Sequence, residues 1–183
     1  RIKARLERQP NRPDLLILAA RASAAARDFV TAQAYLRRAI DAEAAGLAAY
    51  RMLGELYVKQ GKLTEAHREF QQLAQRQNKP VAAMTMLGVI AQAQGDATQA
   101  EKHYERALTI DAAAPIAANN LAWLYAERGK NLEAALRLAQ RASEALPGSP
   151  EVHDTLGWVH YKRQASDQAI AALRTTVELA PRE

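Results

Sequence analysis

A chain of 183 residues is long enough for one globular domain or one short array of repeats. It has no cysteine, which excludes disulfide bonds, thiolate metal sites and cysteine nucleophiles, and it has no apolar run of 18 residues to span a membrane. Alanine is abundant and aromatic residues make up only 5%, a composition that favours closely packed helices and predicts an all-α fold. The net charge of +5 raises the question of an anionic partner.

Residues 1–12 are predicted to form the end of a helix that belongs to a preceding repeat. Ile2 and Leu6 are four residues apart, which places them on one helical face, and Pro10 ends the run. Another repeat would begin at Pro181, and no polar capping helix follows it. We therefore expect the chain to be a piece of a longer array.

Residues 13–183 repeat themselves at intervals of 34 or 35 residues. A pair of Leu-Gly type recurs at Ala19-Ala20, Leu53-Gly54, Leu87-Gly88, Leu121-Ala122 and Leu156-Gly157. Eight positions after the first residue of each pair stand Arg27, Gly61, Gly95, Gly129 and Gln164. A small residue follows at Ala32, Ala66, Ala100, Ala135 and Ala169, and a large one four further on at Leu36, Phe70, Tyr104 and Leu173. The predicted repeats are 13–46, 47–80, 81–114, 115–149 and 150–183.

Each repeat is expected to be a hairpin of two antiparallel helices. A glycine in the first helix lets the second helix pack against it without an intervening side chain, and the small residue is the matching contact. One hairpin cannot bury its whole apolar face, so neighbouring hairpins must stack. The fourth repeat has one extra residue near Asn131, which predicts a longer turn. Gln164 replaces the turn glycine of the fifth repeat, and that turn is expected to be strained or reshaped.

These landmarks resemble the tetratricopeptide repeat family. The family's Leu-Gly-x-x-Tyr pattern is present at residues 53–57 and, with alanine for glycine, at residues 121–125, and its closing proline stands at Pro147 and Pro181. The resemblance implies a right-handed superhelical solenoid of about five hairpins, whose first helices line a concave groove. It also implies a scaffold that binds a protein or peptide partner, without catalysis and without a cofactor.

The family's concave-face positions, carried onto this chain, give the candidate binding residues. Trp123 and Trp158 are the only tryptophans and fall at the same position of adjacent repeats, where they serve either as groove anchors or as packing residues. The full set is Arg21, Arg51, Glu55, Lys59, Gln92, Asn119, Trp123, Glu127, Asp154, Trp158, Tyr161 and Lys162.

Charge is distributed unevenly along the array. Residues 1–46 hold nine basic and five acidic residues, residues 47–80 six and three, and residues 81–183 ten and twelve. Arg21, Arg51 and Lys59 would favour an acidic peptide or an anionic polymer. A related helical-repeat family binds RNA, one base per repeat, and is the main alternative. Because the last three repeats lack a basic excess, we expect a protein partner and no nucleic acid.

No constellation for catalysis is visible in the sequence. There is no H-E-x-x-H motif, phosphate-binding glycine loop or nucleophile elbow. His153 and His160 are seven residues apart, about 10 Å along a helix, which is too far to share a metal ion. We expect both to pack in the core. We therefore expect that the chain is not an enzyme. The alternative is that it is the scaffold domain of a larger enzyme whose catalytic domain lies elsewhere.

The last two repeats carry a narrower resemblance. Residues 119–125, Asn-Asn-Leu-Ala-Trp-Leu-Tyr, and residues 154–159, Asp-Thr-Leu-Gly-Trp-Val, are similar to repeat lipoproteins of the bacterial envelope, found beside exosortase and exopolysaccharide export systems. This likeness implies a periplasmic or outer-membrane-associated scaffold in secretion or polysaccharide assembly, with a cytoplasmic location as the alternative. Membrane association would then come through the parent sequence outside this chain.

Overall fold

The computed structural model describes residues 2–42 and 46–180, and over these residues the chain is helical without any strand. The helices are α1 (Ile2–Arg8), α2 (Pro13–Ala25), α3 (Phe29–Asp41), α4 (Gly46–Lys59), α5 (Leu63–Arg76), α6 (Val81–Ala93), α7 (Ala97–Ile110), α8 (Pro115–Glu127), α9 (Leu132–Ala145), α10 (Pro150–Lys162) and α11 (Ser166–Leu179). The prediction of an all-α fold is confirmed. Pro181 and the side chain of Ile2 lie outside the described part.

Consecutive helices after α1 pack as hairpins: α2 with α3, α4 with α5, α6 with α7, α8 with α9 and α10 with α11. Three residues join the two helices in four of these hairpins, and four residues join α8 to α9. The extra residue lies at Asn131, which has a positive φ of 47° directly before α9. The longer turn predicted for the fourth repeat is thus confirmed.

The turns inside the hairpins share one backbone conformation whether or not they contain glycine. Gly61, Gly95 and Gly129 have φ angles between 61° and 80°, and Arg27 and Gln164 have φ angles of 59° and 60°. A residue with a Cβ is destabilised in this left-handed region by roughly 1–2 kcal/mol. The turn at Gln164 is therefore strained, as expected, but its shape is the same as that of the glycine turns.

The chain divides into two compact units, Arg1–Gln77 and Asn78–Glu183, called here the first and the second unit. In the first unit, Leu16, Leu36 and Phe70 are fully buried, and the rings of Tyr50 and Phe70 lie 6.3 Å apart. Arg37 of α3 donates to Glu69 of α5 at 2.5 Å and to the hydroxyl of Tyr57 of α4 at 2.8 Å. These hydrogen bonds connect three helices at the rim of the core.

In two hairpins of the second unit, α6 with α7 and α10 with α11, close contact between the paired helices depends on glycine. A Cβ added to Gly88 of α6 would lie 2.3 Å from Cε1 of Tyr104 in α7, and Tyr104 is completely buried. A Cβ added to Gly157 of α10 would lie 2.7 Å from Cγ of Leu173 in α11. Ala100 and Ala135 are also fully buried. The predicted role of small residues at the helix contact is confirmed at these positions.

Three side chains are less buried than the sequence predicts. Leu173 is 39% exposed, because no described helix packs against the outer side of α11, where Ile170 and Val177 are also exposed. His153 and His160 are only partly buried, and Nε2 of His153 lies 3.0 Å from the carbonyl oxygen of Pro147. The prediction that both histidines pack in the core is wrong: each keeps part of its side chain at the surface.

The contact at Gly88 makes a direct test of the hairpin packing. Gly88→Ala would gain about 1 kcal/mol of helix propensity, but its Cβ would overlap the immobile ring of Tyr104. Overpacking of this kind costs about 1–3 kcal/mol, so we expect a lower melting temperature by circular dichroism. Gly148→Ala is the control, because a Cβ there meets nothing within 4 Å and φ is not positive. A melting temperature for Gly88→Ala at or above that of the unsubstituted chain would contradict the packing model.

Candidate partner-binding groove

The first helices of the hairpins in the second unit together line a groove of about 470 Å³, called here the amide groove. Its walls come from α6, α8 and α10, with one residue from α11. The lining residues are Gln92, Asn119, Asn120, Trp123, Pro150, Glu151, Asp154, Thr155 and Thr176. Four of the predicted site residues, namely Gln92, Asn119, Trp123 and Asp154, are thus brought together.

A chain of hydrogen bonds, called here the amide chain, crosses the amide groove. Nδ2 of Asn119 donates to Oδ1 of Asn120 at 3.3 Å, and Nδ2 of Asn120 donates to the hydroxyl of Tyr104 at 3.4 Å. The Tyr104 hydroxyl in turn donates to Oε1 of Gln92. Burial raises the pKa of Tyr104 far above its usual range, so the hydroxyl keeps the proton that it donates to Gln92.

The amide chain leaves one hydrogen-bonding atom over at each end. At one end, Oδ1 of Asn119 is buried and accepts no hydrogen bond from any described residue. At the other end, Oε1 of Gln92 is occupied, and its Nε2 donates to no described residue. A buried acceptor without a partner is destabilising by about 1–3 kcal/mol. The groove therefore offers the Gln92 amide as a donor, whereas the Asn119 oxygen is an unpaired acceptor that is closed to solvent in this structure.

A second depression of about 320 Å³, called here the aromatic groove, adjoins the amide groove. It is lined by Trp123, Asp154, Gly157, Trp158, Tyr161, Ser166, Ala169, Ile170 and Leu173. Only Trp123 and Asp154 line both grooves. These two side chains therefore stand at the boundary between the polar and the aromatic part of the site.

The two tryptophans differ in their surroundings although they hold equivalent positions. Nε1 of Trp158 donates to Oε1 of Glu127 at 2.7 Å, its ring stacks on Tyr161 at 5.3 Å, and Nζ of Lys162 lies 4.7 Å from its ring centroid. Trp123 is 39% exposed and makes no hydrogen bond or ring contact with the described residues. The protein thus holds Trp158 in place and leaves Trp123 open to a ligand.

The electrostatics of both grooves are acidic. Glu151 and Asp154 are among the lining residues, and no lysine or arginine of the described part of the chain is. Asp154 is exposed and has no ion pair or hydrogen bond within residues 2–42 and 46–180. Lys162 is the nearby cation that the contacts identify, and it lies over Trp158. An anionic ligand would therefore meet the carboxylate of Asp154, which has no cationic partner among the described residues.

The remaining predicted site residues belong to the first unit. Arg21, Arg51, Glu55 and Lys59 are all exposed, on α2 and α4. Arg51 and Glu55 form an ion pair of 3.7 Å within one helix, so part of the basic charge is compensated locally. Such an exposed pair contributes at most about 1 kcal/mol. Their role in partner binding stays a prediction.

The predicted site residues leave out five residues that line the amide groove: Asn120, Pro150, Glu151, Thr155 and Thr176. Asn120 lies outside the helical stripe used to select candidates, because it points towards Tyr104 of α7. The adjacent pair of asparagines on an otherwise apolar helix was the available signal for it. Thr176 belongs to a second helix and has no equivalent in the groove pattern of the family.

The repeat pattern and the hairpins agree with the comparisons to known proteins. Family models described as tetratricopeptide repeat match residues 17–83, 51–115 and 91–153. One of these models matches more than half of the chain, which therefore belongs to the tetratricopeptide repeat family. No curated protein matches the chain at a significant level. None of the described helices is long and apolar enough to cross a membrane.

Solved structures of repeat proteins share the fold. TTC0263, a thermophilic repeat protein of Thermus thermophilus, aligns with a TM-score of 0.68 at 18% identity, over 94% of this chain and 93% of that chain. Cut9–Hcn1 from the APC/C hetero-tetramer aligns with a TM-score of 0.74 at 18% identity, over 100% of this chain and 36% of that chain. YrrB, described as having an unusual peptide-binding site, aligns with a TM-score of 0.59 at 18% identity, over 98% of this chain and 92% of that chain. At these identities the likeness shows the fold alone.

The difference between the two tryptophans can be measured by acrylamide quenching of fluorescence. Trp158→Phe leaves only Trp123 as the emitter, and Trp123→Phe leaves only Trp158. We expect the Trp123 emission to be quenched more strongly and to lie at longer wavelength, since that indole is open to solvent. Equal quenching of the two variants would contradict the described environments, and circular dichroism would check that both variants stay helical.

Proposed function

We propose that the second unit binds an extended segment of a protein partner in the amide groove, and that the chain acts as a non-catalytic interaction scaffold. The observation that carries this proposal is the amide groove, where Nε2 of Gln92 is a donor and Oδ1 of Asn119 is a buried acceptor, both unpaired among the described residues. An extended peptide presents main-chain carbonyl and amide groups at regular intervals, so a carbonyl can accept from Gln92, and an amide can donate to Asn119 once that side chain turns towards the groove.

The groove also has the size and the anchor that peptide recognition requires. Its volume of about 470 Å³ lies within the range of ligand-binding clefts. Trp123 offers a large exposed surface at the boundary of the two grooves, and tryptophan is enriched among residues that dominate binding energy. Because the hydrogen-bond chain fixes the amide side chains, little side-chain entropy would be lost on binding.

The charge of the groove favours a protein partner over RNA. Nucleic-acid binding depends on lysine and arginine contacts to phosphates, and neither residue lines the two grooves. Carboxylates at Glu151 and Asp154 would repel a phosphate backbone. The peptide-binding site that YrrB is described as having supports the same interpretation, because that protein shares this fold.

A test of the groove uses an immobilised library of nonapeptides with degenerate sequences. We expect the chain to retain a subset of peptides, and Trp123→Ala to weaken their binding by at least tenfold, about 1.4 kcal/mol, as for an anchor residue. Tyr35→Ala removes a partly exposed aromatic residue of the first unit and serves as the control. Equal binding by both variants, with unchanged helicity, would contradict the proposal that peptides bind in the amide groove.

We further infer a periplasmic or outer-membrane-associated location within a bacterial secretion or exopolysaccharide assembly system. The support is the likeness of residues 119–125 and 154–159 to envelope repeat lipoproteins. In fractionated cells that produce the protein, an antibody against this chain should detect it with periplasmic or membrane markers. Its recovery only with a cytosolic marker enzyme would refute this location and leave the groove proposal standing.

A further inference from the structure

We propose that the groove selects a partner segment that carries a lysine or arginine side chain, and that this cation seats between the Trp123 indole and the Asp154 carboxylate. The inference rests on the proposed function and names the chemistry of its ligand. It follows from three independent features of the second unit: the shared boundary of the two grooves, the charge of their walls and the comparison of the two tryptophans.

Trp123 and Asp154 lie at the boundary between the two grooves. Both side chains line the amide groove and the aromatic groove, and they are the only described residues that line both. A segment whose main chain lies on the amide chain must pass a side chain across this boundary to reach the aromatic groove. That side chain meets an exposed indole face and an exposed carboxylate together.

The charge of the walls determines which side chain fits there. Asp154 has no ion pair among the described residues, and Glu151 adds a second carboxylate to the amide groove. No lysine or arginine among the described residues lines either groove. A cationic side chain gains the attraction of these carboxylates, whereas an acidic side chain at the same place meets their repulsion.

The fifth repeat shows how this fold places a cation on the equivalent indole. Lys162, four residues after Trp158, sets its ammonium 4.7 Å from that ring. The residue four positions after Trp123 is Glu127, and its carboxylate accepts a hydrogen bond from Trp158. Trp123 therefore lacks the internal cation that Trp158 has, and it lies among carboxylates. A cation–π contact at Trp123 must be supplied by the partner.

The experiment uses fluorescein-labelled nonapeptide pools with a fixed central residue, either arginine, lysine, leucine or glutamate, and degenerate flanks. Anisotropy titrations at about 0.15 M salt, the physiological ionic strength, compare the unsubstituted chain with Asp154→Asn and with Glu178→Gln, which removes one exposed carboxylate of α11 outside both grooves. Circular dichroism confirms equal helicity. Asp154→Arg is a third variant that reverses the local charge.

We expect the arginine and lysine pools to bind roughly three- to tenfold more tightly than the leucine pool, because their central residue gains an exposed ion pair and one cation–π contact. The glutamate pool should bind most weakly. Asp154→Asn should remove most of this preference, Glu178→Gln should keep it, and Asp154→Arg should favour glutamate.

Two results would overturn the inference. In the first, every pool binds in a Trp123-dependent way without preference for a cation, so the groove binds peptides but this selectivity is wrong. In the second, Asp154→Asn and Glu178→Gln reduce the preference equally, so that only net charge matters. If no pool binds at all, the proposed function itself fails and this inference fails with it.

Discussion

The close approach of paired helices at a glycine or alanine is the constraint on which the second unit depends. Gly88 leaves room for the Tyr104 ring, which fills the space that a Cβ would occupy and is completely buried there. This placement also brings the Tyr104 hydroxyl across to Gln92 and Asn120. The packing contact that defines the hairpin thus also orients the polar groups of the groove.

Equivalent positions of the last two repeats differ in their surroundings although both repeats keep the same hairpin fold. Trp123 and Trp158 occupy equivalent positions, but a glutamate follows one and a lysine follows the other at the same spacing. Glu127 turns towards the indole nitrogen of Trp158, and Lys162 covers the ring of Trp158. These two contacts hold one tryptophan within the scaffold, and the other stays available to a partner.

The regular spacing of small residues along the sequence made most of the fold predictable. The recurring glycine and alanine positions fixed the hairpins and their turns, and the extra residue at Asn131 was visible as a break in the period. The exposure of the two tryptophans was not predictable, because it depends on contacts between repeats. Asn120 was missed since its side chain faces a second helix, and Leu173 was misjudged because its burial requires a neighbour beyond α11.

The most direct test of the central claim, a peptide groove open at Trp123, is a ¹⁵N NMR titration of the intact chain. Its two indole N–H groups give two separate signals, and the arginine-centred nonapeptide pool is the probe. We expect the Trp123 indole signal and the amide signals of α8 and α10 around the groove to shift on binding. The Trp158 indole signal should shift less, because its N–H stays hydrogen-bonded to Glu127. Shifts confined to α9 and α11, or to the first unit, would contradict this claim.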